Sequence, residues 1–365
     1  MKGMTVSSMT DTDTDTAVSI EVYLGVDTHR DTHHAALVDH LGRPIDDREF
    51  PTTADGYRRL LTWASAAGTI TGVGIEGTSS YGAALTGVLR EAGLAVVEVD
   101  RPDRSARRRR GKSDPVDAYA AAVAVASGRA TTCPKSRDGD VESIRLLHTT
   151  RRAAVKARSE ALTSLRSMLV TAPDEVRERL RGLTRARLIR VCASLDPGPV
   201  ASGGVAAAAE TALRSIAVRY QHLSVEIAAL DRDLQMLTRR AAPALLELPG
   251  VGFDTAAQLL ITIGDNRERI VSEAALANLC GVAPIQASSG QRCRHRLNRG
   301  GDRQANRALH TVVLSRLKID PRTQAYRDRR LAEGKTKREI TRCLKRAVAR
   351  EIFRVLNPKA GVDGS

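Results

Sequence analysis

EVYLGVD, residues 21–27, is a run of strand-forming side chains that stops on a carboxylate, Asp27. Aromatic and β-branched residues suit a pleated, half-buried surface, so the run predicts a strand with an acidic residue at its carboxyl end. The segments that follow keep the same pattern. HHAALVD (33–39) predicts a second strand and REFPTT (48–53) a third. ADGYRRLLTWASAA (54–67) has helical spacing, with Tyr57, Leu60, Leu61 and Ala64 on one face. TGVGIEG (71–77) is a short apolar strand ending at Glu76, YGAALTGVLREAG (81–93) a helix closed by Gly93, and LAVVEVD (94–100) another buried strand. DPVDAYAAAVAVAS (114–127) predicts a helix with Asp114 as N-cap, Pro115 at its first position and Asp117 in its first turn. The order β-β-β-α-β-α-β-α puts antiparallel strands first and helix-linked parallel strands after them. That is an α/β domain: a mixed sheet with helices on its faces.

Four acidic residues stand out against this frame. Asp27 and Glu76 end strands, and groups at the carboxyl ends of neighbouring strands converge on one crevice. Asp114 and Asp117 are three apart on one helix turn and so lie on neighbouring faces. Four carboxylates in one place repel each other unless a cation joins them. Hard oxygen donors without a thiolate suit Mg²⁺ or Mn²⁺, the ions that activate a nucleophile and stabilise a leaving oxygen in phosphodiester chemistry. Taken singly, each of these residues reads as structural, Asp114 as a helix cap above all. His29, His33 and His34 read as exposed residues on a strand edge. GIEGTSSYG is not a hydrolase elbow, because Tyr81 stands where that motif needs glycine.

Beyond this domain the pattern turns helical. TTCPKSR (131–137) reads as a linker. Residues 138–172 carry Ile144, Leu147, Leu162, Leu165 and Leu169 on one side, and DPGPVASGG (196–204) reads as a break. Leu213, Ile216, Tyr220, Leu223, Ile227, Leu230, Leu234 and Leu237 then step by 3-4-3-4-3-4-3, a heptad seam that predicts a coiled coil, paired within the chain or with another subunit. From Ala244, ALLELPGVGFDTAAQLLITIGD resembles a helix–hairpin–helix, in which the amides of Gly250 and Gly252 would meet a DNA phosphate; a tight helix–helix turn is an equal reading. Asp302 predicts the N-cap of a helix running to about Arg316, and a last helix, roughly 335–356, is basic on one side. The expected organisation is a disordered lead (1–19), the α/β domain (20–130), an all-α coiled-coil region (131–240) and a mainly α C-terminal domain (241–365).

Composition narrows the function classes. The 365 residues are 42% hydrophobic and 27% charged, with mean hydropathy −0.25, a soluble composition with no apolar run long enough for a membrane span. The N-terminus has no apolar core of a secretory signal. Five cysteines (Cys133, Cys192, Cys280, Cys293, Cys343) without a CxxC exclude a disulfide framework and a zinc ribbon, and fit a reducing cytoplasm. Cys293 and His295 read as incidental neighbours in a basic loop. Net charge is +15, and residues 281–365 hold +14 of it, as 21 Lys and Arg against 7 Asp and Glu. An excess gathered at one end points to a polyanion. Aromatics are 3% of the chain, too few for base-stacking platforms, so contact with a phosphate backbone is expected.

GVDTHRDTH, GIEGTSSYG and KSDPVDAYAAA, followed in the same chain by LELPGVGFDTAAQLLITIGD and LANLCGVAPIQASSGQRCRHRLNRGGDRQANRALH, resemble the DEDD-type insertion-sequence transposases. The resemblance covers most of residues 20–356. It implies an N-terminal RuvC-like domain of RNase H fold, with Asp27, Glu76, Asp114 and Asp117 as a metal-binding acidic tetrad. It implies a C-terminal transposase domain whose serine attacks DNA, a role that falls on Ser288, with Ser289 next in register. Arg292, Arg294, Arg296, Arg299 and Arg303 would then bind and neutralise phosphate. It further implies donor and target DNA as partners, a guide RNA made by the element that pairs with both, and a homo-oligomer, dimer to tetramer, with the heptad seam as a contact. The residues themselves leave two alternatives open. One is a metal-dependent junction nuclease that uses water and leaves Ser288 idle. The other is a nucleic-acid-binding scaffold without catalysis.

Overall fold

The computed structural model describes residues 20–99, 113–286, 295, 296, 298 and 300–357. The chain divides between Lys135 and Ser136 into two compact units. The lead, Ser288, Ser289, Arg292, Cys293, Arg294 and Arg299 lie outside the described residues.

The N-terminal unit is built on five strands, β1 (Glu21–Thr28), β2 (Thr32–Asp39), β3 (Pro44–Pro51), β4 (Thr69–Glu76) and β5 (Val96–Val99). Their order in the sheet is β3-β2-β1-β4-β5. β1 pairs antiparallel with β2 and β2 with β3, whereas β1 and β4, and β4 and β5, run parallel. This is the mixed sheet expected from the alternation. Val22, Leu24 and Val26 point from β1 into a core with Leu37, Phe50, Leu60, Ile75 and Leu85. Helices α1 (Ala54–Ala67) and α2 (Ala83–Glu91) supply its other wall. On the opposite face lies α3 (Asp114–Ala126). A strand covered on both faces buries nearly every residue, and in β1 all of Leu24–Asp27 are buried.

Two local expectations change. β3 starts at Pro44 and ends at Pro51, earlier than REFPTT suggested, because Thr52 and Thr53 are drawn into other bonds. Thr52 donates its hydroxyl to the carbonyl of Arg30, and Thr53 caps α1 by accepting from the amide of Gly56. In α3 the N-cap is Ser113, with Asp114 as the first helical residue and Pro115 the second. The residue thought to be the linker's second, Thr132, still belongs to the sheet, its carbonyl accepting from the amide of Glu98.

The C-terminal unit opens with two long helices, α4 (Asp140–Thr171) and α7 (Val200–Ala241), joined through α5 (Asp174–Leu180) and α6 (Arg185–Ala193). α7 begins inside the supposed break and absorbs it as a kink at Gly204, whose φ of 59° is left-handed. α4 lies along α7. All eight seam residues are buried or half-buried, Arg151 of α4 pairs with Asp231, and the Arg158 guanidinium sits 5.8 Å over the Tyr220 ring. The seam thus has its partner within the chain, and the face expected to meet another subunit is already engaged.

The remaining helices are α8 (Pro243–Leu246), α9 (Phe253–Ile263), α10 (Glu273–Leu279), α11 (Arg303–Ile319), α12 (Pro321–Ala332) and α13 (Lys337–Leu356). They share one core, including Leu260, Leu309, Val312 and Ile352, with Ile144 and Leu234 of the long helices. Asp302 caps α11 as expected, accepting from the amides of Gln304 and Ala305. α12 was not expected; Asp320 caps it and Pro321 opens it.

Candidate functional site

Asp27 and Glu76 end adjacent parallel strands, and the Thr28 hydroxyl donates to the carbonyl of Glu76 at 2.7 Å, tying the two strand ends together. The alternation that sends Val26 and Ile75 into the core sends Asp27 and Glu76 to the other face, where α3 begins. Asp114 and Asp117 occupy the first turn of that helix, so the topology directs all four carboxylates to one end of the sheet. Asp27 and Asp117 are buried, 7% and 2% exposed; Glu76 and Asp114 are half-buried.

Asp114 comes close to Asp27, and His29 joins them. His29 Nε2 is 3.3 Å from Asp27 Oδ2 and 3.2 Å from Asp114 Oδ1. One donor atom from each of the three residues falls within a 4.8 Å cluster, to which Glu76 and Asp117 do not belong in this arrangement. Burial pushes the Asp27 carboxyl above its usual range; His29 opposes this, and the charges of Asp117 and Asp114 add to it. Asp27 Oδ2 is itself buried and accepts no hydrogen bond. An orphaned carboxylate oxygen among converging oxygen donors fits a divalent cation, which would satisfy the oxygen and relieve the repulsion.

The seat of α3 explains how the carboxylates get there. A Cβ on Gly25 would stand 2.1 Å from the carbonyl oxygen of Ala118 and 2.2 Å from the amide nitrogen of Ala122. On Gly74 it would stand 2.7 Å from the Ala121 oxygen, and on Gly72 2.9 Å from a methyl of Val125. The helix therefore packs backbone against backbone on a glycine strip, and small residues on its inner side, Ala118, Ala121 and Ala122, complete the fit.

The histidines differ from their expected exposure. His33 is fully buried and stacks on Tyr57, ring centroids 5.8 Å apart. His34 Nε2 lies 2.6 Å from Asp47 Oδ1, and the same carboxylate accepts from the Tyr119 hydroxyl of α3 at 3.0 Å. Burial first, and Asp47 second, push the Tyr119 phenol up to about 12. His29 is the site residue that the sequence reading passed over. Its signal was the Asp-x-His spacing at a strand end; the turn made by His29 N–H to the Thr32 carbonyl brings the ring back over Asp27.

In the C-terminal unit the structure describes the stem of the serine loop. β6 (Ile285–Gln286) and β7 (His295–Arg296) pair antiparallel. Below them the loop is pinched shut: a Cβ on Gly301 would stand 2.2 Å from the Gly281 nitrogen, and the Asp302 amide donates to the Leu279 carbonyl at 2.7 Å. Asn306 donates to the carbonyls of Cys280 and Gly281, and its own oxygen accepts from Lys345 Nζ at 2.8 Å. Lys345 is buried, which with the charge of Arg342 lowers its pKa. A cleft of about 820 Å³ beside the stem is walled by Arg296, Lys335, Arg342, Lys345 and Arg346, with Glu339 as its acidic member. Arg296 and Arg303 are exposed. Cys293 lies outside the described residues, and the other four cysteines form no disulfide among the described residues.

Gly250 packs closely, whereas Gly252 has open space beside it. Gly250 has φ 74° and faces the carbonyl of Val312 on α11, where a Cβ would come within 3.0 Å. The Gly252 amide donates to Thr255 Oγ1, so it is engaged in capping α9. α8 is only 4 residues long, short for the first arm of a helix–hairpin–helix.

No helix among the described residues is long and apolar enough to cross a membrane. Residues 24–173 match a DEDD transposase family model of the IS110 group, and residues 242–328 match the model described as Transposase IS116/IS110/IS902 family. The chain is 41% identical to the 43.6 kDa protein of insertion element IS110 from Streptomyces coelicolor, over 26% of this chain and 24% of that one. It is 28% identical to the 42 kDa protein of insertion element IS900 from Mycobacterium paratuberculosis, over 42% and 39%. A 25% identity to the IS117 mini-circle protein of Streptomyces coelicolor extends over 75% of this chain and 79% of the relative. The first two matches thus span well under half the relatives' lengths.

Proposed function

This chain belongs to the IS110-type family of DEDD insertion-element transposases, and from that premise we propose that it is a DNA recombinase that mobilises its element by cutting and rejoining strands through a serine nucleophile. The observation that supports the proposal is the cluster of the buried Asp27 oxygen with His29 and Asp114 at the carboxyl end of the sheet. Asp27, Glu76, Asp114 and Asp117 would hold Mg²⁺ or Mn²⁺. Such an ion, when bound, polarises the scissile phosphate and stabilises the departing oxygen.

Ser288 Oγ attacks the phosphorus; a serine–phosphate bond forms, one bridging phosphorus–oxygen bond of the DNA breaks, the hydroxyl proton passes to solvent, and the departing DNA oxygen takes one up. A second DNA hydroxyl reverses the step and frees the serine. The covalent link conserves the phosphodiester energy, so no nucleotide is spent. Lys345, Asn306 and the Gly281–Gly301 contact hold the loop's feet, and the basic cleft beside them receives a phosphate backbone. Donor and target DNA, and an RNA that pairs with both, are the polyanions proposed for it. A homo-oligomer, in which the serine of one subunit serves the carboxylates of another, is proposed as the working form. Cysteines that form no disulfide among the described residues suit a reducing cytoplasm.

The test is to incubate the purified protein with Mg²⁺, the element's ends, their non-coding transcript and target DNA, and to denature in SDS. A protease-sensitive protein–DNA adduct, lost in Ser288→Ala and in Asp27→Ala, is expected. Loss in Ser289→Ala alone moves the nucleophile by one residue. Cleaved ends without an adduct point to a nuclease that uses water, and cleavage-free binding to a scaffold.

A further inference from the structure

We propose that His29 is a direct ligand of the divalent ion at the Asp27–Asp114 site, and that its nitrogen biases the site toward Mn²⁺ over Mg²⁺. The proposal deepens the metal-assisted reading above and rests on it.

Three observations point the same way. First, the spacing is that of ligands. In an octahedron with bonds of about 2.1 Å, neighbouring donor atoms are about 3.0 Å apart. His29 Nε2 lies 3.3 Å from Asp27 Oδ2 and 3.2 Å from Asp114 Oδ1. Second, the ring spans both carboxylates at once, 3.3 and 3.2 Å away. It does not close on one, as His34 does on Asp47 at 2.6 Å, just under the about 2.7–2.9 Å typical of a single charge-assisted bond. Third, two buried atoms are left without hydrogen bonds, Asp27 Oδ2 and His29 Nε2 itself. The Asp27 side chain is 9% exposed, so water does not readily satisfy that oxygen. An ion between them would satisfy both at once.

The backbone turn, His29 N–H donating to the Thr32 carbonyl, returns the residue toward the sheet end, and the ring there lies against both acids. Mn²⁺ accepts an imidazole nitrogen among carboxylates more readily than Mg²⁺, which keeps to oxygen and holds its waters. Nothing in this ligand set repels Mg²⁺; the bias comes from the nitrogen alone.

The test uses the full chain, without DNA, and Mn²⁺ as the probe. Calorimetry measures Mn²⁺ and Mg²⁺ affinity, and pulsed EPR of bound Mn²⁺ reads nitrogen coordination. Directly bound ¹⁴N is expected in the wild type. In His29→Gln the nitrogen coupling should vanish, Mn²⁺ affinity should fall by about tenfold or more, and the preference over Mg²⁺ should shrink. Asp27→Asn should abolish the same binding event. Mn²⁺ bound in an Asp27-dependent way without nitrogen coupling overturns the role of His29 and leaves the metal reading standing. Binding indifferent to Asp27 overturns both. A misfolded His29→Gln does not spoil the test, because the wild-type spectrum alone decides whether nitrogen is bound.

Discussion

In the N-terminal unit glycine lets a helix lie on a sheet; in the C-terminal unit it closes the foot of a loop. Gly25, Gly72 and Gly74 bring α3 onto the strands that carry Asp27 and Glu76, so the acids sit inside the packed layers they depend on. Gly281 and Gly301 press together beneath β6 and β7, and the nucleophile proposed above lies beyond that stem. One half of the chemistry is therefore fixed throughout by close packing. In the C-terminal unit the described residues show the stem, held by the Gly281–Gly301 contact, the Asp302–Leu279 bond and the Lys345–Asn306 bond. A metal site needs its donors held to fractions of an ångström, and the packing of α3 meets that demand for the carboxylates proposed above.

Substitutions at the glycines test this contrast most directly. Gly25→Val places carbon against the backbone of Ala118 and Ala122, which cannot yield as a side-chain tip would. We expect the largest effect here: a loss of about 3 kcal/mol or more in the stability of the N-terminal unit, measured by urea unfolding, together with loss of Mn²⁺ binding. A variant that keeps both would break the comparison. Gly301→Ala should cost less, about 1–3 kcal/mol, and should act differently. Adduct formation is expected to fall while Mn²⁺ affinity stays at the wild-type value, since the stem holds no metal donor. Equal losses of metal binding in the two variants would mean that the sites are not fixed independently.

The smallest expected effect tests the rim of the α3 seat. The Tyr119 phenol is pushed up to about 12, against 10.0 for an ordinary tyrosine. Between those two values the unfolded chain gives up its proton while the folded chain keeps it, so stability falls as pH rises through that window. Tyr119→Phe should flatten this alkaline limb and leave stability near pH 7 little changed, read from thermal unfolding across a pH series. An unchanged slope would remove the Tyr119–Asp47 bond from the account.

The sheet was legible because strand and helix periods differ and the acids punctuate strand ends. That Asp27 and Glu76 end adjacent strands is a fact of the sheet order, β1 beside β4, which element order does not give. Three further features were not legible, for separate reasons. His29 joins the carboxylates through a turn whose direction the Asp-x-His spacing does not reveal. The glycine strip requires knowing which helix lies on which face, a tertiary fact spread over residues 25 to 122. α12 was missed for want of apolar residues, although Asp320-Pro321 carries the start signal that was acted on at Asp114-Pro115. There the structure moves the cap to Ser113, so the same dipeptide opens two helices in two registers. The heptad step falls on a face of α7 packed along α4, a partner that a single periodic segment cannot express.

The glycine strip also bears on how copies of such an element die. Every missense change at codon 25 adds a Cβ, whatever residue it writes, and the backbone of α3 leaves no room for one. If the proposed site is right, a copy can lose its activity while Asp27, Glu76, Asp114, Asp117 and Ser288 all read intact. A census of functional copies that inspects only those residues would count such genes among the living. Gly25 and Gly74 belong in that census, because a change there unseats α3 without altering any proposed site residue.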